Sequence, residues 1–372
     1  MYMKKILHVS KFYYPYYGGI EDVARTIVDE LKPYFEQRII CFNHEKGTIY
    51  NINGTDVLRI GTTCTIASQP ISLKYRNILQ KTINSYRPDF IHLHLPNPLI
   101  ASYILTINLR GAKIITHWHA DILGQKGFYS LYKPFERKIL EKSYKIIATS
   151  EMYKNHSEPL KNFLDKTYIL PNTVYEKKIH LYTGEQEEID RIRAKYNNKK
   201  IVFFVGRHVG YKGIDFLLES EKFISEDCVI LIAGTGDLTK SFKDKVGKNS
   251  RIKFIGRLSN NELKYHLHAS TVFAFPSHNR SEAFGVALAE ALYCGLPAVS
   301  FNIEGSGALW VNKNNHTGFV VENRNVHEFA EAITKIISST ELRNELSKNA
   351  IDWVKLNFLK NQIFRIMHEI YS

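Results

Sequence analysis

The stretch Val272-Phe-Ala-Phe-Pro-Ser-His-Asn-Arg-Ser-Glu-Ala-Phe-Gly-Val-Ala-Leu-Ala-Glu-Ala291 has the pattern of a buried strand, a polar loop and the start of a helix. Such units build parallel sheets, and the ligands of these sheets bind in the loops that follow the strands. The pattern places the helix N-terminus at Phe284-Gly285, where free backbone N–H groups can receive an anion. We therefore expect an α/β fold with an anion site in this loop.

The alternation of apolar runs with helical patterns extends along all 372 residues in two rounds. The strand candidates are residues 5–10, 38–42, 57–60, 90–95, 113–117 and 145–149 in the first round, and 201–205, 229–233, 252–255, 272–275, 298–301 and 318–322 in the second. A polar segment at 175–200 separates the rounds. We expect two Rossmann-like, doubly wound domains, residues 1–175 and 176–354.

The composition is that of a soluble globular protein, with 44% hydrophobic and 23% charged residues. The four cysteines lie far apart and form no CxxC pair, which argues against a disulfide framework and a structural zinc site. The N-terminal residues lack the pattern of a signal peptide, and no apolar run approaches the roughly 20 residues that cross a bilayer. These features favour a cytoplasmic protein.

The formal charge of +13 favours an anionic partner: a phosphate compound, a nucleic acid or an acidic membrane surface. The alternative is a basic surface that only contacts solvent. Because the sequence contains no basic block and no aromatic pattern of an RNA-binding motif, we do not expect a nucleic-acid partner.

A glycine-rich basic loop, Gly206-Arg-His-Val-Gly-Tyr-Lys-Gly213, follows the strand candidate 201–205. Arg207 and Lys212 have the charge to neutralise a diphosphate, although an ordinary turn with solvent-facing cations would have the same sequence. Neither Gly234-Thr-Gly236 nor Gly18-Gly19 extends to GxGxxG with a trailing acid, which disfavours a dinucleotide-dependent dehydrogenase.

Two glutamates flank the helix N-terminus in the opening stretch. Glu282 precedes the helix, where its carboxylate can reach sugar hydroxyls beside a bound phosphate, and Glu290 lies on a helix face that can reach a ribose. The alternative is that Glu282 caps the helix and Glu290 is exposed. The apolar neighbours of Glu290 in the helix argue against exposure.

The run from Glu282 to Glu290 resembles the E-x7-E signature of retaining glycosyltransferases with the GT-B fold, family 4. Further matches occur in the family's order at Gly18-Gly-Ile-Glu21, Gly206-Arg207, Lys212-Gly213, Phe254-Ile-Gly256, Phe275-Pro-Ser277 and Gly305 to Gly318. The resemblance implies two Rossmann-like domains facing a central cleft, and a nucleotide-sugar donor bound mainly by the second. It also implies no cofactor, no required metal, and a C-terminal helix at about 355–372 that crosses back to the first domain.

The resemblance also implies roles for individual residues. Arg207 and Lys212 would hold the diphosphate, Glu282 the transferred sugar and Glu290 the ribose. The remaining donor-site residues would be Ala283, Phe284 and Gly285 at the helix N-terminus, Gly256, Arg257 and Leu258 against the base, and Gly18 and Gly19 in the first domain. The catalytic set implied is His119, Arg207, Lys212 and Glu282.

The first half contains the candidates for the acceptor side. Tyr16 belongs to an aromatic run at 12–17 that could stack on sugar, contact a membrane or simply pack a loop. Glu21 is either an acceptor contact or a first-turn acid favoured by the helix dipole. His119 aligns with the family histidine that faces the transferred sugar, and His117 competes because the register could slip by two. Asp121 would orient this loop or bind acceptor.

Three His-x-His pairs occur, at 92/94, 117/119 and 266/268. On a strand, residues i and i+2 share a face, so the first two pairs have the spacing of metal ligands. No acidic or cysteine partner lies at metal-ligand spacing and no Asp-x-Asp occurs, so we expect no metal site. His94 instead becomes a candidate for lining the acceptor site, and the alternative is that His92 and His94 are buried core or supporting histidines.

The resemblance, with these features, implies transfer of a hexose, with retention, to a glycan or polyprenyl-linked acceptor. Gly305-Ser-Gly-Ala-Leu-Trp-Val-Asn312 and His94-Leu-Pro-Asn-Pro98 resemble bacterial polysaccharide mannosyltransferases, which favours GDP-mannose as the donor. UDP-glucose, UDP-galactose and UDP-N-acetylhexosamines are alternatives, as are a sugar-nucleotide epimerase, a phosphorylase and a non-catalytic nucleotide-sugar-binding protein. The basic charge suits peripheral contact with the inner face of an anionic membrane.

Overall fold

The structure, a computed structural model, describes residues 3–16, 18–45, 47–51, 55–66, 69–123 and 126–371. The chain separates into two compact units. Unit 1 takes in Met1–Asn172 and Lys360–Ser372, and unit 2 takes in Thr173–Leu359. Each unit is built around its own, mainly parallel sheet, so the expected α/β fold is confirmed.

The described strands of unit 1 are β1 (Lys5–Val9), β2 (Glu36–Asn43), β3 (Ile49–Asn51), β4 (Asp56–Gly61), β5 (Cys64–Ile66), β6 (Gln69–Ile71), β7 (Phe90–Leu95), β8 (Lys113–Trp118), β9 (Lys145–Ala148) and β10 (Thr167–Ile169). Eight of them form one sheet in the order β10-β9-β8-β7-β1-β2-β4-β3, in which only β3 is antiparallel, while β5 and β6 pair separately. Strand β7 is buried at every position because it lies in the middle of this sheet.

The described helices of unit 1 are α1 (Gly19–Leu31), α2 (Tyr75–Tyr86), α3 (Pro98–Thr106), α4 (Lys126–Lys142), α5 (Glu151–His156), a 3₁₀ segment (Glu158–Lys166) and the C-terminal helix (Lys360–Tyr371). Helix α1 buries Val23, Ile27 and Leu31, whose spacing of four residues places them on one face. The C-terminal helix packs on the same cluster through Met367 and Ile370. It is therefore part of the core of unit 1.

The strands of unit 2 are β11 (Lys200–Val205), β12 (Cys228–Ala233), β13 (Ile252–Gly256), β14 (Val272–Phe275), β15 (Ala298–Phe301) and β16 (Gly318–Val321). They form a parallel sheet in the order β13-β12-β11-β14-β15-β16. The order reverses between β11 and β14, and ligands of such sheets bind in the loops at this switch point. The fold thus directs attention to the loops after β11 and β14.

The helices of unit 2 are α6 (Glu176–Ile179), α7 (Gln186–Lys195), α8 (Ile214–Ser220), α9 (Thr239–Asp244), α10 (Asn260–Ala269), α11 (Val286–Tyr293), α12 (Ala308–Val311), α13 (Val326–Ser338) and α14 (Thr340–Asn357), with 3₁₀ turns at Gly210–Lys212 and Glu221–Phe223. The segment expected to link the domains contributes α6 and α7 to unit 2. Within the described ranges, no helix combines the length and the apolar composition that crossing a bilayer requires.

Candidate active site

The two loops at the switch point of unit 2 lie against each other. The His278 N–H, in the loop after β14, donates to the Tyr211 carbonyl, in the loop after β11, over 3.1 Å. Gly213 approaches Pro276 so closely that a Cβ atom on Gly213 would lie 2.0 Å from the Pro276 carbonyl oxygen, which requires glycine. The expected phosphate loop and the expected sugar loop are therefore neighbours.

Lys212 and Glu282, one from each loop, form a buried ion pair. The Lys212 ammonium hydrogen-bonds the Glu282 carboxylate, and their side chains are only 13% and 10% exposed. Ser277 donates a second hydrogen bond to Glu282 Oε2 over 2.9 Å. Burial acts to lower the pKa of Lys212, but the Glu282 carboxylate outweighs it and the pKa is raised above its usual value. Lys212 is therefore held as a cation.

Arg207 lies in the same loop as Lys212, and its side chain is exposed. Its charge acts on Lys212, where it opposes protonation. Two cations that repel each other are stabilised by an anion between them, and a diphosphate carries the charge to do this. The structure thus brings together Arg207, Lys212 and Glu282, as the sequence predicts, and adds the direct contact between the last two.

The N-terminus of α11 is open. Its N-cap is Gly285, which has φ of 91° and makes no side-chain capping bond. Glu282 is therefore not the cap of this helix, and the alternative reading of Glu282 as a simple helix cap is wrong. Phe284 is buried against Phe358 with ring centroids 5.4 Å apart, so only its backbone is available to a ligand. Ala283 accepts a backbone hydrogen bond from Gly307 over 2.8 Å, which fixes the loop.

Glu290 is also buried, and it has a partner that the sequence did not indicate. Lys178 of α6 donates to Glu290 Oε1 over 2.7 Å, and the side chains are 11% and 5% exposed. The alternative of an exposed Glu290 is wrong. Lys178 escaped sequence analysis because it lies in the segment expected to be a linker, far from any strand end.

The loop that begins at Gly256 follows β13, at the edge of the sheet. Three inter-strand gaps of about 4.8 Å separate β13 from β14, so this loop and the Glu282 loop leave their strands roughly 14 Å apart. Arg257 is exposed, and Leu258 packs on the hydrophobic core of unit 2. The structure therefore does not place these residues next to Glu282 but farther along the same edge of the sheet.

Unit 1 carries a cluster of five buried histidines on adjacent strands: His8 on β1, His92 and His94 on β7, His117 on β8 and His119 just beyond β8. His94 Nδ1 lies 3.0 Å from His119 Nε2, and His92 Nε2 lies 3.3 Å from His117 Nδ1. Burial lowers all five pKa values, for example to about 4 for His8 and about 3 for His119. The cluster is therefore uncharged at neutral pH.

The structure distinguishes His117 from His119. His117 lies inside β8, is fully buried and contacts His92, whereas His119 follows the last residue of the strand and keeps 5% of its surface exposed. Asp121, two residues on, is bound to unit 1 itself: it accepts from Trp118 Nε1 over 2.8 Å and from Ser157 Oγ over 2.6 Å. This geometry gives Asp121 the role of orienting the loop.

The other candidates of unit 1 lie around the start of α1. The Glu21 carboxylate lies over Gly18, with Oε2 only 2.2 Å from the point where a Cβ of residue 18 would stand. Gly19 is the first residue of α1. Tyr16 donates to Asn43 Oδ1 over 3.0 Å and packs edge-on against His44, with ring centroids 4.2 Å apart. Tyr16 therefore packs its loop against the end of β2.

Comparison with known proteins agrees with this architecture. The model of Glycosyltransferase Family 4 matches residues 17–177, and the model of Glycosyl transferases group 1 matches residues 185–353. The O-antigen chain mannosyltransferase C of Escherichia coli is 29% identical, with 93% of this chain and 92% of that protein covered. The D-rhamnosyltransferase WbpZ of Pseudomonas aeruginosa is 25% identical over 93% of this chain and 90% of its own.

The fold of Anabaena HepE, solved with UDP and glucose, superposes with a TM-score of 0.81 at 17% identity, over 99% of both chains. Two Rossmann-like units, with a cationic loop and an open helix N-terminus at the switch point of the second, define a glycosyltransferase of the GT-B class. Both family models fit this class, and together they span most of the sequence. The chain belongs to family 4 of the GT-B glycosyltransferases.

Proposed function

We propose that this protein transfers mannose from GDP-mannose, with retention and without a metal cofactor, to a glycan or polyprenyl-linked acceptor in surface polysaccharide synthesis. The observation that carries the proposal is the Lys212–Glu282 pair beside the open N-terminus of α11. The mannosyl- and rhamnosyltransferase relatives support the choice of sugar and pathway.

The donor diphosphate binds between Arg207, Lys212 and the N-terminus of α11. Arg207 and Lys212 supply positive charge, and α11 supplies a helix dipole, to the leaving diphosphate, whose charge grows as the glycosidic bond breaks. The site is organised before the donor arrives because Glu282 and Ser277 already hold the Lys212 side of the loop. Electrostatic stabilisation of the leaving group then supplies most of the rate enhancement.

The two glutamates bind hydroxyl groups of the donor. Glu282 keeps one carboxylate oxygen close to Lys212 and Ser277, and its other oxygen accepts from the transferred sugar. Glu290 accepts from the ribose, and Lys178 orients its carboxylate. Gly256, Arg257 and Leu258, farther along the sheet edge, lie against the base.

On the acceptor side, His119 is the residue that faces the transferred sugar, because it lies beyond the strand end while His117 is enclosed in β8. As a neutral imidazole, His119 donates a hydrogen bond to the sugar without adding charge. His94 fixes its orientation through the 3.0 Å contact. At the start of α1, Glu21 contributes to the acceptor-side surface, whereas Gly18 and Gly19 belong to the donor site.

A donor panel tests the proposal. A donor that binds the folded state raises the melting temperature by mass action, so GDP-mannose should give the largest shift among GDP-mannose, UDP-glucose, UDP-galactose and UDP-N-acetylglucosamine. NMR of the glycoside formed should give the anomeric configuration of the donor, and EDTA should leave the rate unchanged. A shift and turnover with a UDP-sugar alone would replace GDP-mannose as the donor. Acceptor-independent isomerisation of the donor would instead establish an epimerase.

The helix α4 of unit 1 supports a peripheral location at the inner face of the cytoplasmic membrane. Leu131 and Phe135, one turn apart, are 74% and 44% exposed, with Lys133 and Lys138 exposed on the same helix. Exposed apolar side chains beside lysines suit an anionic bilayer surface. Leu131→Ser should weaken sedimentation with vesicles of anionic lipid at low salt, while Leu73→Ser, at an equally exposed leucine, should not. Equal sedimentation of both variants and the wild type would exclude α4 as the contact.

A further inference from the structure

The histidine cluster of unit 1 contains more imidazoles than glycosyl transfer uses. The proposed function needs His119 and its neighbour His94, yet His8, His92 and His117 are buried on the same face of the sheet. Histidine is more polar than the aliphatic residues that fill the rest of this face, such as Ile6 and Ile115. A buried polar group costs free energy unless it is bound to something.

Three of these histidines lie at the distances of a metal site. In the set His94, His117 and His119, each residue offers a ring nitrogen within 4.8 Å of those of the other two. The 3.0 Å between His94 Nδ1 and His119 Nε2 is close to the separation of about 3.3 Å that nitrogens have around tetrahedral zinc, where each lies about 2.0–2.1 Å from the ion. Small ring rotations would bring all three onto one ion.

The same three residues have unused ring nitrogens. Within the described part of the chain, His94 Nε2, His117 Nε2 and His119 Nδ1 are buried and have no hydrogen-bond partner. His92 Nε2 contacts His117 Nδ1, so the other ring nitrogen of His117, Nε2, remains free to act as a ligand atom. His94 Nδ1 and His119 Nε2 become free to bind an ion when the proton that they share moves to the outer nitrogen of its own ring.

A second set, His8, His92 and His94, has similar spacing, but its ring nitrogens already contact other residues. His92 Nδ1 contacts the Tyr371 hydroxyl while its Nε2 contacts His117, and His8 Nε2 lies 2.9 Å from Gln37 Oε1. Both ring nitrogens of His92 are thus in use, and coordination through His92 would break a contact with Tyr371 or His117, whereas the first set gives up only the contact between its own His94 and His119. The set on β7 and β8 is therefore the better site.

We propose that His94, His117 and His119 bind one divalent transition-metal ion of the zinc type, with a water molecule as fourth ligand. Three imidazoles with an open fourth position are a known arrangement for zinc, and His-x-His on a strand supplies two of them from one face. The ion is not a cofactor of transfer. Because His119 cannot bind the ion and the donor sugar at once, the metal inhibits transfer, a consequence that rests on the proposed function.

Binding is tested on the full chain after metal removal with EDTA and desalting. Titration with ZnCl₂ in a calorimeter should give one ion per chain, and CoCl₂ should give the intense visible absorption of four-coordinate cobalt. His117→Gln and His94→Gln should weaken zinc binding by more than the about 10- to 100-fold that loss of an outer partner costs. His8→Gln, a matched change in the same cluster, should stay within about threefold of the wild type.

Several results would overturn the site. These are the absence of one-to-one binding, wild-type affinity in His117→Gln, or equal losses in His8→Gln and His117→Gln. If the glutamine variants do not fold, ¹⁵N NMR of the wild-type imidazoles decides, since zinc should shift the ring nitrogens of three histidines. Shifts in no histidine or in a different set would contradict the assignment.

A final measurement separates this proposal from the proposed function. Zinc should lower the transfer rate in proportion to site occupancy, and EDTA should restore it. Binding without inhibition would refute the shared use of His119 but leave the metal site in place. Metal-free protein that transfers no sugar from any donor would refute the proposed function while the zinc titration still stands.

Discussion

The two units treat their buried ionisable groups in opposite ways. In unit 2, Lys212 with Glu282 and Lys178 with Glu290 are buried as ion pairs. In unit 1, burial drives the histidines to their neutral forms. Paired charges can be re-partnered by a charged diphosphate, whereas neutral imidazoles can only exchange hydrogen bonds or coordinate an ion. The contrast assigns charge stabilisation to unit 2 and uncharged recognition to unit 1.

The largest effect should come from removing the carboxylate charge of unit 2. In Glu282→Gln the side chain keeps its shape but Lys212 loses its counterion and the sugar loses an acceptor, so kcat/KM for transfer should fall by about 10³-fold. Glu331→Gln, an exposed glutamate of the same unit, should leave the kinetics unchanged. Turnover of Glu282→Gln within threefold of the wild type would show that the charge pair is not the catalytic feature.

Removing the cation should affect stability as well as transfer. In Lys212→Met the Glu282 carboxylate stays buried but loses the Lys212 ammonium as its partner. This should lower the free energy of unfolding by about 3 kcal/mol in urea titrations. The double variant Lys212→Met/Glu282→Gln should recover part of this loss because no buried charge remains. Equal stability of the single and double variants would mean that the pair is not electrostatically coupled.

The open helix N-terminus gives a smaller prediction. Gly285 has φ of 91°, and a Cβ here would also lie 3.1 Å from the Phe275 ring. Gly285→Ala should therefore cost about 1–2 kcal/mol of unfolding free energy and weaken donor binding. Gly247→Ala is the matched control, since a Cβ there meets nothing within 4 Å. A melting temperature of Gly285→Ala equal to that of the control would contradict the strained backbone.

The last effect, on the pH dependence of stability, concerns a buried acid of unit 1. Glu136 accepts from the Tyr129 hydroxyl over 2.7 Å, and burial raises its pKa to about 7. The folded state therefore holds a proton that the unfolded chain loses above about pH 4.5, so stability should fall as pH rises from 4.5 through 7.

Glu136→Gln should remove this dependence, which melting temperatures at pH 5 and pH 8 would measure. Glu141→Gln on the same helix is the control, because that side chain is 49% exposed. If Glu136→Gln keeps the pH dependence of the wild type, the Glu136 carboxyl is not protonated in the folded state as proposed.

The sequence predicts the long strands of both sheets within two residues, because each contains a short run rich in apolar and β-branched residues. The strands β3, β5, β6 and β10 were missed, since three residues are too few to establish a period of two. The order of the strands in each sheet also cannot be predicted from the sequence. The spacing of His92 and His94 predicts a shared face, but only the pairing of β7 with β1 and β8 brings His8 and His117 beside them.

For the site, the position of the loops after strands placed Arg207, Lys212 and Glu282 at one edge of the sheet, and the family resemblance grouped them into one site. The pairing of β11 with β14, which brings their loops together, is known only from the structure. The sequence also could not predict the partner of a buried charge. Lys178 reaches Glu290 across 112 residues of chain, and no local pattern marks such a contact. Sequence therefore identifies which elements carry chemistry, while the pairing of charges depends on tertiary packing.

The position of the C-terminal helix bears on how the protein is made. Met367, Ile370 and Tyr371 fill the core of unit 1, and the Tyr371 hydroxyl contacts His92, 279 residues earlier. Domains generally fold as they leave the ribosome, first the N-terminal one. Here unit 1, whose first residues are synthesised first, cannot complete its fold until residues 360–371 have been made. Unit 2 is one contiguous stretch, Thr173–Leu359, and is fully synthesised before those residues. During translation, unit 2 can close while unit 1 still exposes the groove that the last helix will occupy.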